Sequence, residues 1–286
     1  MSGVNAASPA VRPSIAGVVL CLNEADNLPR ALNSLSWCDE RLVVDSGSTD
    51  TSQEVAVQEG ARVIEHRQSG LFLITEQRNW ALNQGDLRSD WVLFLDADEI
   101  IPLDCRIAIQ EAIQHPQAPA GFELTPRYWF LGRWLKHTQS YPNWHPRLLR
   151  RGCIQFQGGV WESFTPGSNT GRIPVPYEHY AFSKGMDDWL ERHMRYAQWE
   201  AERIVAFRQS GVKAALGTNR SLHLRAFSAK LWALKPPLRF LQKYLLQGGF
   251  REGWQGLLFA LMMAFYDLIT VVKVIQIRRR MEGKSL

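Results

Sequence analysis

Residues 15–22 read IAGVVLCL, a continuous apolar run rich in β-branched side chains. Such a run is typical of a strand buried on both faces, as in a parallel sheet. Asn23 and Glu24 end the run, and leucines at helical spacing follow over residues 28–35. A strand that leads directly into a helix is the repeating unit of a parallel α/β sheet, so this stretch predicts that fold class.

The same alternation continues along the chain. Further strands are predicted at 41–44, 61–64 and 91–95, and helices at about 55–60 and 75–83. Polar residues close three of the four strands: Asn23 and Glu24, Asp45 and Ser46, and Asp96 with Asp98. In a parallel sheet flanked by helices, ligands bind at the carboxyl ends of the strands. We therefore expect these polar residues to meet in one site.

Beyond the fourth strand the composition changes. Residues 121–180 are rich in Gly, Pro and aromatics, which indicates short strands and loops covering the active edge of the sheet. A helix is predicted from Asp187 to about Phe207. The domains expected are a disordered N-terminus (1–13), a catalytic α/β domain (14–210) and a C-terminal helical region (211–286).

Charge is spread unevenly over the 286 residues. Residues 1–189 hold 16 Lys and Arg against 22 Asp and Glu, whereas residues 190–286 hold 17 against 6. An acidic first part suits a metal site, and a basic second part suits an anionic surface such as lipid or nucleic acid. The four cysteines lack metal-ligand spacing and no apolar leader precedes residue 14, so we expect a cytoplasmic protein with reduced thiols.

The basic second part has the composition of a membrane-associating appendage. Residues 226–247 interleave aromatic and aliphatic residues with Lys and Arg, which favours an anionic lipid surface over nucleic acid. Residues 257–277 are long enough to cross a bilayer and end in Arg278–Arg280. Asp267 and Lys273 oppose crossing, since each central charge costs roughly 2.5–3.5 kcal/mol. An interfacial helix is therefore preferred, and a soluble helix packed on the catalytic domain remains open.

Four short motifs of the N-terminal half occur together in one known family. The N-terminal half resembles the family 2 glycosyltransferases of the GT-A fold, through LNE (22–24), VVDSGSTD (43–50), QRNWAL (77–82) and LDADE (95–99). The remainder is similar to the subgroup that builds lipopolysaccharide cores, through FLGRWLKH (130–137), YP (141–142), RLLRR (147–151), HY (179–180) and GGF (248–250). That subgroup carries a His-Glu pair where this chain has Trp161 and Glu162, so the acid is kept and the His is lost.

The resemblance implies a nucleotide-sugar donor held on a divalent cation, Mg²⁺ or Mn²⁺, which stabilises the diphosphate leaving group. Asp98 is expected to be a direct metal ligand. Asp96 is expected to face the metal, through a bound water, or the ribose. His179 is a candidate third ligand. The alternatives are a solvated acidic turn for the two aspartates and a hydrogen-bonded core residue for the histidine.

The donor's nucleoside is expected to contact Asn23, Glu24 and Asp45 at the first two strand ends. Asp45 is equally typical of an Asx-turn, and the two interpretations are compatible. Arg78 lies on a predicted helix that faces the site, where it steadies the base or phosphates; a surface ion pair is the alternative. Alternation along residues 147–150 places Arg147 and Arg150 on opposite faces of a strand, and one of these basic residues is expected to meet an anion.

Inverting transfer needs a general base for the acceptor hydroxyl. Glu162 is the first candidate, and Asp187 and Asp188 are the second, although helix capping also explains them. The chain is thus predicted to be an inverting glycosyltransferase (hexosyl or heptosyl) acting on a lipid-linked or lipopolysaccharide-core glycan. It is expected to be peripheral to the cytoplasmic face of the inner membrane. Two alternatives stay open, a polyprenyl-phosphate glycosyltransferase and a non-catalytic nucleotide-sugar-binding protein.

Overall fold

The computed structural model describes residues 12–69, 72–158, 162–210 and 232–286. These residues form two compact units. The first comprises the described residues up to Arg127 together with Tyr141–Ala181, and the second comprises Tyr128–Ser140 together with the described residues from Phe182 onward. The predicted disordered segment 1–13 lies outside the described residues, apart from residues 12 and 13.

The first unit is built around a large sheet with helices packed on it. Its strands are β1 (Ile15–Cys21), β2 (Glu40–Asp45), β3 (Arg62–Glu65), β4 (Trp91–Asp96), β5 (Glu99–Ile100), β6 (Gly121–Phe130, which continues into the second unit), β8 (His145–Arg150) and β11 (Thr170–His179). A small separate sheet pairs β9 (Phe156–Gln157) with β10 (Ser163–Phe164). The helices are α1 (Leu28–Ser34), α2 (Ser52–Gln58), α3 (Ile74–Gln84) and α4 (Leu103–Gln114).

The residues of strand β1 are apolar or small, and every one of them is buried, which favours a central strand of a sheet covered on both faces. Successive side chains of a strand point to opposite faces, so β1 contributes to two apolar cores. Val19 enters a core shared with α1 and α4, where Leu32 and Ile109 are fully buried. Val18 enters the opposite core, which contains Ala81 of α3. The buried apolar run thus covers both faces of the sheet with helices.

The strand order is β3-β2-β1-β4-β8-β6-β11-β5. Strands β3, β2, β1 and β4 are parallel to their neighbours, and β8 then joins β4 in the antiparallel sense. The predicted α/β fold with its sheet flanked by helices is confirmed. The segment predicted as an irregular cover contributes β6, β8 and β11, which extend the same sheet beside the site.

The second unit is mainly helical. Its elements are β7 (Arg133–Trp134), which pairs with the end of β6, α5 (Gly185–Ser210), a 3₁₀ turn (Trp232–Leu234), α6 (Lys235–Phe240), a π-helical turn (Leu241–Leu246), a second 3₁₀ turn (Gly249–Glu252) and α7 (Gly253–Met281). Phe130, Trp189 and Phe259 meet in its main apolar cluster. The predicted long apolar C-terminal helix is confirmed as α7.

Within the described residues, the stretch Gly249–Met281 is long and apolar enough to cross a membrane, judged by length and composition alone. Its most apolar window has a mean hydropathy of 2.0, and 33% of that window is buried inside the protein. Because α5 packs along α7, the compact units divide the chain at a different place from the boundary predicted at residue 210.

Candidate active site

Three strand ends meet at one edge of the sheet. In the register of the parallel strands, Leu20 of β1 pairs with Val44 on one side and Asp96 on the other, and Cys21 pairs with Asp45. The polar residues that follow β1, β2 and β4 are therefore neighbours, although they lie far apart in sequence. The sequence prediction that these ends converge agrees with the structure.

Asp45 organises the loop after β2. Its carboxylate accepts hydrogen bonds from the backbone N–H groups of Gly47 (3.0 Å) and Ser48 (2.9 Å) and from Gln53 Nε2 (2.9 Å). Gly47 has φ of +97°, a conformation that favours glycine. Burial raises the pKa of Asp45, but these hydrogen bonds outweigh burial and hold the pKa below its usual value. Asp45 therefore forms the predicted Asx-turn and holds the loop in shape.

The residues after β1 are tied to the same loop. Asn23 adopts a left-handed conformation, with φ of +55°, and its Oδ1 accepts a hydrogen bond from the Thr49 backbone N–H at 2.7 Å. The Glu24 backbone N–H donates to Ser52 Oγ at 2.8 Å, and the Glu24 carboxylate accepts from Asn27 Nδ2 at 2.7 Å. The two loops predicted to hold the nucleoside are therefore joined into one surface.

Asp96 ends β4, and its carboxylate is held by two arginines. Arg78 of α3 donates from Nη2 to Oδ1 at 3.0 Å, and Arg147 of β8 donates from Nη2 to Oδ2 at 3.0 Å. Burial raises the pKa of Asp96, but Arg147 and Arg78 outweigh burial and hold that pKa well below its usual range. Asp96 therefore stays ionised, with both oxygens already engaged. Arg78 is fully buried, so the alternative of a surface ion pair is wrong.

Glu99 is a member of the site to which sequence reasoning gave no role. It is fully buried, and its Oε2 accepts a hydrogen bond from the Asp96 backbone N–H at 3.0 Å. Its Oε1 accepts from Arg147 Nη2 at 2.7 Å, and the Tyr177 hydroxyl lies 3.3 Å from Arg147 Nε. Burial raises the pKa of Glu99, and Arg147 opposes that rise. Arg147 thus joins two carboxylates in one buried ion-pair network.

Asp98 and His179 lie side by side. His179 Nε2 is 3.4 Å from Asp98 Oδ2, and His179 Nδ1 is 3.6 Å from Glu99 Oε1. Antiparallel pairing places His179 of β11 opposite Glu99 of β5, and the Tyr180 backbone N–H donates to the Asp98 carbonyl at 2.9 Å. Burial lowers the pKa of His179, but the neighbouring carboxylates outweigh burial and raise it.

His145 is a second histidine close to this network, and the sequence did not single it out. It lies two residues before Arg147 on β8, so the two side chains share a face of the strand. Burial, with a contribution from Arg147, lowers the pKa of His145 to about 3, so the ring is neutral at pH 7. Among the described residues its buried Nε2 has no hydrogen-bond partner.

Glu162 reaches the network through Arg78. Its Oε2 contacts Nη1 of Arg78, the same guanidinium that holds Asp96, and its side chain is 11% exposed. The rival base Asp188 pairs with Arg192 at 2.9 Å within α5. Trp161, which replaces the histidine of the resembling subgroup, lies outside the described residues.

The possible metal ligands near Asp98 fit a divalent cation only in part. Across the described ranges, no group of three or more His, Cys, Asp and Glu side chains is arranged to hold a metal ion. Asp98 and His179 present a carboxylate oxygen and an imidazole nitrogen 3.4 Å apart, which is a suitable pair of ligands for Mn²⁺. Asp96, which is expected to face a metal-bound water or the ribose, has both of its carboxylate oxygens accepting hydrogen bonds from guanidiniums.

The comparison with known families decides the class of enzyme. The family model described as glycosyl transferase family 2 matches residues 18–172, more than half of the chain. The chain belongs to glycosyl transferase family 2. The match covers the strand ends and both arginines of the network, and the resemblance inferred from the motifs is confirmed. This family 2 member is therefore a glycosyltransferase, and the alternative of a non-catalytic binding protein is wrong.

Relatives of this family 2 chain include two glycosyltransferases. Over 266 residues, 92% of each chain, it is 24% identical to the lipopolysaccharide core biosynthesis glycosyltransferase LpsC of Rhizobium meliloti (strain 1021). Over 86 residues, 30% of this chain and 29% of the relative, it is 38% identical to an uncharacterized glycosyltransferase of Rickettsia felis. Among solved structures, mannosyltransferase PcManGT from Pyrobaculum calidifontis in complex with GDP-Man and Mn²⁺ is 17% identical, with a TM-score of 0.47 over 93% of this chain and 88% of that chain.

Proposed function

We propose that this glycosyltransferase moves a sugar, with inversion, from a nucleotide-diphosphate sugar to a lipopolysaccharide-core or lipid-linked glycan. The observation that carries the donor chemistry is the Asp98–His179 pair beside the arginine-held Asp96, at the carboxyl ends of the parallel strands. The similarity to LpsC over 92% of both chains supports the class of acceptor.

Asp98 and His179 are the residues that would hold a divalent cation, Mg²⁺ or Mn²⁺. Bound there, the cation would stabilise the negative charge that develops on the diphosphate leaving group. Asp96 has a different role in this proposal. It fixes Arg78 and Arg147, two buried cations that would lie beside the same diphosphate and add to its electrostatic stabilisation.

The loops after β1 and β2 would hold the nucleoside. Asp45 keeps the second loop in shape through its internal hydrogen bonds, and Asn23 links the first loop to it. Glu24 lies at the same edge and would accept a hydrogen bond from the ribose or the base. In this proposal Asp45 acts by positioning the loop, since the loop itself already supplies donors to both of its carboxylate oxygens.

Glu162 is the proposed general base. Its contact with Arg78 brings the carboxylate to the Asp96 network, so it would lie beside a donor bound there. A carboxylate there would take the proton of the acceptor hydroxyl as the glycosidic bond forms. A polyprenyl-phosphate acceptor would need no such base, because it is already an anion.

The test is a panel of nucleotide sugars, with donor binding measured by calorimetry and transfer or hydrolysis measured by release of the nucleoside diphosphate, with Mn²⁺ and with a chelator. We expect metal-dependent turnover of one donor. Glu162→Gln should keep donor binding and lose transfer by at least about a hundredfold. Near-normal transfer by Glu162→Gln to a polyprenyl phosphate would favour the alternative acceptor, and a donor that turns over equally well with the chelator would contradict the metal proposal.

The proposed place of action is the cytoplasmic face of the inner membrane. Support comes from the apolar helix α7, with its terminal arginines, and from the relative that acts in lipopolysaccharide core biosynthesis. Separation of membranes from cytosol by centrifugation, followed by detection of the chain in each fraction, tests this placement.

A further inference from the structure

Helix α7 of the second unit has two opposite faces. On one face its side chains pack against α5 and α6, with Phe259, Ala260, Asp267, Thr270 and Val274 buried. The other face is an unbroken apolar stripe: Trp254, Leu257, Leu261, Phe265, Leu268, Val272 and Ile275. These seven side chains are between 36% and 60% exposed. Their spacing of three or four residues places them on one side of the helix over about 32 Å.

The neighbouring helical segment repeats the pattern. Its exposed large side chains are Leu234, Leu238, Leu241, Leu245 and Leu246, and the first four again recur every three or four residues. Arg239 and Lys243, between these leucines, point inward instead. Arg239 donates to Asp267 at 2.9 Å, and the Lys243 ammonium lies 5.6 Å from the centroid of the Phe259 ring. We call the two stripes together the apolar face.

Three polar side chains in the middle of α7 have partners in the neighbouring helices. Asp267 pairs with Arg239, the Tyr266 hydroxyl donates to Glu200 at 2.9 Å, and Lys273 donates to Gln198 at 3.1 Å. The last two partners belong to α5. Helix α7 therefore cannot cross a bilayer without taking α5 with it, and α5 carries exposed charged pairs such as Glu191–Arg195.

The charged residues at the ends of the stripe indicate which kind of surface binds it. Residues 232–286 hold nine Lys and Arg against three Asp and Glu. Two of those acids, Glu252 and Asp267, are buried, so the exposed charge is positive. Arg278, Arg279 and Arg280 follow Ile275 directly, and Arg251 precedes Trp254. An apolar stripe with cationic ends complements anionic headgroups above acyl chains.

We propose that the apolar face lies flat in an anionic lipid leaflet, with α7 parallel to the membrane plane and not crossing it. The lipid takes up the exposed leucine, phenylalanine and tryptophan side chains, and the arginines at the end of α7 bind the headgroups. This proposal identifies the surface and the orientation, and it depends on neither the donor nor the acceptor. Lipid binding is measured without substrates, so its failure is distinguishable from a failure of the proposed transfer reaction.

The first experiment is flotation of the full chain with vesicles of phosphatidylethanolamine and phosphatidylglycerol. The triple variant Leu261→Ser, Phe265→Ser and Leu268→Ser should partition about a hundredfold less than wild type, since it removes three apolar side chains from the lipid. The matched control replaces three exposed aliphatic side chains of the first unit, Val57→Ser, Leu103→Ser and Ile107→Ser. It should float as wild type does. Equal flotation of the two variants would overturn the proposal.

The second experiment separates charge from apolar contact. Replacing Arg278, Arg279 and Arg280 with Gln should weaken binding to the anionic vesicles by about a hundredfold and remove most of its salt dependence. Binding to phosphatidylcholine vesicles should hardly change. Loss of binding to both kinds of vesicle to the same extent would contradict the role assigned to the arginines.

A label on the stripe tests the orientation without disturbing the fold. An environment-sensitive fluorophore on Leu261→Cys should shift to the blue on adding the anionic vesicles, and one on Leu103→Cys should not. A label already buried without vesicles would assign the apolar face to another part of the chain. A dimer in light scattering that the triple serine variant dissociates would assign it to a second copy. Membrane-bound protein should be released by alkaline carbonate, and retention would mean a crossing helix. A label buried without vesicles, a dimer that the triple serine variant dissociates, or retention after carbonate would each overturn the proposal.

Discussion

The pair Arg239–Asp267 allows a quantitative prediction about the helical unit. Asp267 is fully buried and accepts one hydrogen bond, from Arg239 at 2.9 Å, while its other oxygen has no partner among the described residues. Burial raises the pKa of Asp267 above its ordinary value of 3.8, and Arg239 opposes that rise. Arg239→Met would leave a buried carboxylate without its nearest cation, a change that typically costs 3–5 kcal/mol.

Protonation sets an upper limit on that cost. A carboxyl with an ordinary pKa of 3.8 can bind a proton at pH 7 for about 4 kcal/mol and at pH 5 for about 2 kcal/mol, at 1.36 kcal/mol per pH unit. A group whose pKa is raised by folding stabilises the protein below its unfolded pKa and loses that contribution as pH rises. The loss of stability caused by Arg239→Met should therefore grow from at most about 2 kcal/mol at pH 5 to at most about 4 kcal/mol at pH 7.

The reverse substitution should be milder. In Asp267→Leu the remaining Arg239 side chain is 31% exposed and can turn its charge to water, so we expect a loss of about 1 kcal/mol. Hydrogen exchange of the α7 amides, read by mass spectrometry, measures the local free energy of opening at both pH values. Arg251→Met, at an exposed position of the same unit, is the matched control. A deficit for Arg239→Met that does not change between pH 5 and pH 7, or that equals the deficit for Asp267→Leu, would refute the reasoning.

Three further predictions concern the first unit. Arg147→Met should lower the free energy of unfolding by about 3 kcal/mol and weaken donor binding, because it leaves the buried Glu99 carboxylate without its cation and Asp96 with Arg78 alone; Arg150→Met, at an exposed position of the same strand, should change urea unfolding by less than about 0.5 kcal/mol. His179→Gln should weaken Mn²⁺-dependent nucleotide-sugar binding by about tenfold or more in calorimetry, and an unchanged metal dependence would remove His179 from the proposed ligands. Burial raises the pKa of the Cys105 thiol from 9.0 to about 12, so the stability it contributes is present below pH 9 and lost as pH rises towards 12. Between pH 9 and 11, Cys105→Ala should therefore lose about 2 kcal/mol less stability than wild type in urea unfolding.

The sequence predicts the parallel part of the sheet well because the signals there are local. Residues 15–22 are apolar without interruption, and polar residues mark the ends of three of the four predicted strands. The rule that strand ends converge then places Asp45 and Asp96 together without any knowledge of their contacts. Alternation along β8 likewise separates the buried Arg147 from the exposed Arg150, as the structure shows.

The ion-pair network is not predictable in the same way, because its contacts span long stretches of chain. Arg147 lies 51 residues from Asp96 and 48 from Glu99. In the run LDADE, Glu99 resembles an acid on a solvated turn. Its burial follows from the pairing of β5 with β11 and from the ion pair with Arg147 of β8. Asp267 shows the same limit. It counts against membrane insertion in the sequence, whereas the structure gives it a partner 28 residues earlier and directs both away from the exposed stripe.

The two aspartates of the DAD run have different surroundings, and the fold explains why. Asp96 is the last residue of β4, so its carboxylate meets Arg147 on the adjacent antiparallel strand and Arg78 on the helix that covers that face. Asp98 follows after the turn and lies beside His179 at the end of β11. A metal ion at Asp96 would have to replace Arg78 and Arg147 as partners of that carboxylate, and it would meet two buried positive charges there. A metal ion beside Asp98 meets an imidazole instead, so the cation is expected at the second aspartate and the fixed positive charge at the first.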